Sequence, residues 1–69
     1  MQLHELQLSQ YYFRWAKSDQ RNNVLEISVE KRFLTPSFQI FLAKNGYRAK
    51  PGREKYETEH FEHFELKGG

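Results

Sequence analysis

Residues 34–48 read LTPSFQIFLAKNGYR, and the fold class turns on them. Two periods compete. Phe38, Ile40 and Leu42 alternate as in a strand, whereas Phe38, Phe41 and Leu42 fall at i, i+3 and i+4 as on a helix. The punctuation favours the helix. Thr35 can accept a backbone N–H as an N-cap, and Pro36 suits the first helical position, where no amide hydrogen is needed. Asn45-Gly46 supplies a left-handed stop. The stretch therefore predicts a helix over 36–45. Read as a strand, it would make Asn45-Gly46 a tight hairpin turn.

Upstream, VLEISVEKRF (24–33) has the clearest period of two in the chain. Leu25, Ile27, Val29 and Phe33 share one face, predicted to be inward, and Glu26, Ser28, Glu30 and Arg32 share the exposed one. YYFRWAK (11–17) also alternates, with Tyr11, Phe13 and Trp15 inward and Tyr12, Arg14 and Ala16 outward. The polar SDQRNN (18–23) between them predicts an antiparallel hairpin. Leu3, Leu6 and Leu8 open the chain without a clear period. Downstream, Pro51-Gly52 marks a loop among basic residues, with room for a short strand before it, and 60–67 is read as a last strand. Strand, strand, helix, loop, strand gives an α+β fold: an antiparallel hairpin plus one helix packed on a small mixed sheet. A β-grasp is one common arrangement of these elements, with the first and last strands as parallel neighbours at the sheet centre. Residues 1–67 are expected to form one domain and 68–69 a flexible tail.

Sixty-nine residues leave no room for a second core. There is no cysteine, so disulfides and thiolate zinc sites are excluded, and the core must draw on eleven aromatic residues. No apolar run reaches the ~20 residues of a membrane span. The expectation is a cytoplasmic protein without membrane association. The net charge of +2 hides an asymmetry. Residues 1–56 carry ten Lys/Arg against five acids, and residues 57–69 carry four glutamates against Lys67. Either the two halves neutralise each other within the fold, or a basic surface faces a polyanion.

Catalysis has no support in the motifs, and no cofactor is implied: there is no nucleophile elbow and no glycine-rich phosphate loop. His60 and His63 would share a helix face but point to opposite sides of a strand, so no metal site is expected. The basic loop offers more. Lys44, Arg48, Lys50, Arg53 and Lys55 cluster with Tyr47 and Tyr56, and Arg14, Arg21, Lys31 and Arg32 could extend the patch along the hairpin. Basic side chains neutralise phosphates and interleaved tyrosines stack on unpaired bases. The same surface could dock on a protein, as small factors encoded by mobile elements do.

The last residues, ELKGG (65–69), add a second line. Glycine lacks a Cβ, so a Gly-Gly end can thread a narrow tunnel and present a bare carboxylate for adenylation. With MQL at the start and an aromatic last strand running into Leu66, Lys67, Gly68 and Gly69, the chain resembles ubiquitin-like proteins and the small sulfur carriers of the β-grasp superfamily. That resemblance implies a modifier or sulfur carrier acting through its C-terminal diglycine, with Gly69 carrying the reactive carboxylate and an activating enzyme as partner. The alternative is a small basic factor that binds nucleic acid or a partner protein.

Overall fold

The computed structural model describes residues 3–52 and 54–67. In chain order these form a 3-10 turn (Glu5–Leu8), strand β1 (Trp15–Ser18), strand β2 (Val24–Glu30), a second 3-10 turn (Lys31–Phe33) and helix α1 (Pro36–Lys44). Strand β3 (Tyr47–Lys50), helix α2 (Lys55–His60) and strand β4 (Phe61–Leu66) follow. The four strands make one sheet in the order β1-β2-β4-β3, with every neighbouring pair antiparallel.

The α+β class is as expected, but the sheet is not mixed. Helix α1 carries the chain across the sheet, so β3 runs in the same direction as β2, one strand-width away. Strand β4 fills the slot between them and must oppose both. Strand β1 pairs only with β2 and lies at an edge. The parallel first-to-last pairing of a β-grasp is therefore not formed among the described strands.

The helix forms where its punctuation placed it. Thr35 Oγ1 accepts the Phe38 N–H at 3.2 Å, Pro36 opens α1, Asn45 ends it, and Gly46 takes φ 87°. Phe38 and Leu42, one turn apart, are its fully buried residues and pack on Ile27 and Val29 of β2. Leu3, Leu8, Val24 and Tyr47 complete the core, and the Tyr11 ring stacks on Phe38 at 4.2 Å. Fully burying each large apolar side chain contributes ~1.5–3 kcal/mol. The β1–β2 turn is fixed by Asp19 Oδ1, which accepts the N–H groups of Arg21 (2.8 Å) and Asn23 (3.0 Å) while Asn22 takes a left-handed φ of 63°. Asparagine tolerates that conformation better than most residues.

Four expectations about the hairpin need correction. First, β1 begins at Trp15, so Tyr11 and Phe13 lie before the strand and do not share its phase. Tyr11 reaches the core, whereas Phe13 and Trp15 are exposed. Second, the register slips between Lys17 and Ser18, so Val24 replaces Leu25 as the fully buried partner of Ile27 and Val29. An extra residue in one strand shifts every side chain beyond it to the other face. Third, β2 ends at Glu30, and the 3-10 turn leaves Phe33 exposed. Fourth, Ser28 is fully buried, and Glu26 and Glu30 are half-buried. The face away from α1 is therefore covered too. Helix α2, which was not expected, lies beside that face.

Candidate binding surface

The face opposite α1 is built from aligned cross-strand rows. Trp15, Ser28, His63 and Lys50 stand side by side across the sheet, and so do Lys17, Glu26, Glu65 and Arg48. Alternation along each strand puts both rows on the same face. Charge is exchanged within and beside them. Lys50 Nζ bonds Glu26 at 2.8 Å, and Arg48 Nε bonds Glu65 at 3.2 Å. Arg14 grips both carboxylate oxygens of Glu57, at 2.7 and 3.2 Å, and His63 Nε2 lies 3.1 Å from the same carboxylate. Arg14 and His63 thus tie the first turn of α2 to the sheet.

These contacts hold Glu57 below the ordinary glutamate range, chiefly through the Arg14 hydrogen bond and then that from His63. The Lys50 bond does the same for Glu26. All four glutamates of the acidic C-terminal segment face cations from the basic body: Glu57 with Arg14, Glu65 with Arg48, and Glu62 and Glu59 more loosely with Lys31 and Lys55, both at 3.8 Å. The charge asymmetry of the sequence is taken up within the fold.

The basic residues expected to form one patch are therefore dispersed. Arg48 and Lys50 share the second face but are paired. Lys44 closes α1 and makes no ion pair among the described residues. Lys55 starts α2. Arg32 bonds Glu30 at 2.8 Å. Tyr47 is no stacking platform, because its ring is only 5% exposed. Its hydroxyl accepts the Leu3 N–H at 3.0 Å and donates to the Val24 carbonyl, and burial raises its pKa. Leu66 and Lys67 belong to the sheet end rather than to a tail: Leu66 pairs with Tyr47, and the Lys67 N–H donates to the Gly46 carbonyl at 2.7 Å. Arg53, Gly68 and Gly69 lie outside the described residues. No group of three His, Asp or Glu side chains could hold a metal ion among the described residues, and no described helix is long and apolar enough to cross a membrane.

What the structure brings together instead is an aromatic–arginine surface at one end of the sheet. It joins the residues before β1, the turn after β2 and the α2–β4 junction. Tyr12 (76% exposed) packs on Phe33 with ring centres 5.4 Å apart and planes tilted by 36°, and Tyr56 (62% exposed) lies against His60 and Phe61. The Arg32 guanidinium sits 4.7 Å from the Phe33 ring centre and that of Arg14 4.1 Å from Phe61. Both distances are within cation–π range. Two shallow grooves meet at Glu30 and Arg32, one beside Tyr12 and Phe33, the other beside Tyr56 and Phe61. A third cleft of about 330 Å³ opens on the second face beside Trp15. The sequence held a signal for this surface, since Tyr12, Arg14, Arg32 and Tyr56 stand at outward or loop positions, but the hairpin phase assigned Phe33 to the core.

No protein family, curated protein or solved structure matches this chain.

Proposed function

We propose that the protein is a small binding factor that docks on a partner protein through its aromatic–arginine surface. The observation that carries this is the pairing of exposed aromatic rings with guanidinium groups that are already neutralised. Arg14 answers Glu57 and Arg32 answers Glu30, so the surface offers aromatic area and directional donors with little net charge. Tyr, Trp and Arg dominate the energetic centres of protein interfaces. A phosphate chain is bound chiefly through uncompensated cations, and here it would meet Glu30 and Glu59 between the rings.

The test begins with capture from extracts of the source cells, with nuclease added. A captured protein is then purified and its affinity measured directly. Tyr12→Ala and Phe33→Ala together should weaken that binding by at least roughly tenfold, with the thermal melt unchanged. Binding that survives the double variant would sink the proposal. So would tight binding of a single-stranded oligonucleotide that falls steeply with salt.

The sequence Leu66-Lys67-Gly68-Gly69 carries a second proposal, a modifier or sulfur carrier acting through Gly69. Its support is the resemblance of the tail. Incubation with ATP and a lysate of the source should then yield an adenylate, a thiocarboxylate or an adduct through Gly69. Gly69→Ala should reduce that product without changing stability, and its absence from the unaltered protein would end this proposal.

A further inference from the structure

The cleft beside Trp15 sharpens the docking proposal and rests on it. Three of the side chains lining it are carboxylates, Glu26, Glu54 and Glu57, against the ammonium of Lys50 and the imidazole of His63. Lys50 is committed to Glu26 at 2.8 Å. Glu54 has no cation partner among the described residues. The Trp15 indole, 39% exposed, forms one wall, and Pro51-Gly52 another. Between two of the lining residues stands a second polar feature. Ser28 projects from β2 to this face between Trp15 and His63, is fully buried, and its hydroxyl finds no partner among the described residues. Buried hydroxyls are rarely left unpaired unless a water or ligand serves them.

The chain itself shows what fits such a place. Twice on this side of the molecule a guanidinium lies over an aromatic ring and bonds a carboxylate: Arg14 with Phe61 and Glu57, and Arg32 with Phe33 and Glu30. The cleft supplies ring and carboxylate a third time, in Trp15 and Glu54. We infer that it receives an arginine side chain of the partner protein, the guanidinium stacked on Trp15 and donating to Glu54. Tryptophan is the best aromatic face for a cation, and a planar guanidinium stacks where an ammonium cannot. At about 330 Å³ the cleft is at the lower end of small-molecule sites, which run from ~300 to ~1,000 Å³, and it suits one side chain rather than a cofactor. An anion is disfavoured by the excess of carboxylates.

Trp15 is the only tryptophan of the chain, so its emission reports on the cleft directly. The probe is the peptide acetyl-Gly-Arg-Gly-amide, with its citrulline counterpart as the neutral isostere. The arginine peptide should give a saturable change in Trp15 emission, and the citrulline peptide should bind at least roughly tenfold more weakly. Glu54→Gln should weaken the arginine peptide similarly while the far-ultraviolet circular dichroism stays unchanged. Equal responses to the two peptides, no saturable response, or an unaltered response in Glu54→Gln would each overturn the inference. Because Arg53 adjoins Glu54 in sequence, the titration is repeated on Arg53→Gln. Binding seen only in that variant also overturns it, since the chain's own arginine would then be the occupant. If the purified partner still depends on Tyr12 and Phe33 while the peptide fails, the cleft inference alone is lost. If the partner ignores Tyr12 and Phe33, the docking proposal falls with it.

Discussion

On the α1 side of the sheet, Ile27 and Val29 meet Phe38 and Leu42 with no exposure at all. One residue along the same strand, on the other side, Glu26, Ser28 and Glu30 meet Lys50, Trp15, His63 and Arg32. The first side is held by burial, which does not depend on the exact partner and is worth kilocalories per side chain. The second is held by hydrogen-bonded ion pairs at partly exposed positions, whose net worth is small. Yet the second side specifies much more chemistry. A sheet stabilised mainly from one side leaves the other free to carry aromatic rings, guanidinium groups and a cleft.

That contrast can be broken at its strong side first. Phe38→Ala removes the largest fully buried side chain and should cost ~3–5 kcal/mol, enough to unfold much of a chain this small. Urea denaturation measures it. A loss below about 1 kcal/mol would mean that α1 does not anchor the core.

Acid tests the second side. Glu57 and Glu26 titrate below the ordinary glutamate value of 4.5 in the folded protein, so the unfolded chain binds protons more readily. Their stabilisation is full above that value and is lost as pH falls through the folded values. Between about pH 5 and about pH 2, the Thr58 methyl resonance in α2 should move before those of Ile27 and Leu42. Simultaneous movement would show that α2 is held by something other than Glu57.

The smallest effect is expected at the buried hydroxyl. Ser28→Ala removes a polar atom without a partner among the described residues, so stability should change by less than ~0.5 kcal/mol or rise, because burying an unpaired hydroxyl is unfavourable. A loss above ~1 kcal/mol in the same urea experiment would reveal a bound water or other partner.

The two sides were also unequally legible. Helix α1 could be read because Thr35, Pro36, Asn45 and Gly46 act locally, through caps and backbone conformations that need no tertiary partner. Strand β2 could be read because its alternation follows from burial on one face. Helix α2 could not, since none of its residues is buried and its N-cap residue, Glu54, makes no side-chain capping hydrogen bond. Its position comes from Glu57 meeting Arg14, 43 residues earlier. Tyr47 looked like part of a basic loop because its neighbours are Arg48 and Lys50; only the register of β3 against β4 turns its ring inward. The one-residue slip beside Ser18 is likewise a property of the pair of strands and not of either sequence alone.

The strand order has a consequence for how the molecule comes into being. A ribosome delivers β1, β2, α1 and β3 before β4, yet β4 is the strand to which both β2 and β3 are hydrogen-bonded. Until residues 61–66 have left the exit tunnel, β3 has no neighbour in the sheet and one edge of β2 is open. Arg14, Lys31 and Arg48 also wait for the glutamates that answer them. The nascent chain is thus more cationic than the finished one, and it closes in a late step that joins distant segments. Such closure is slowed by the entropy of the intervening loop.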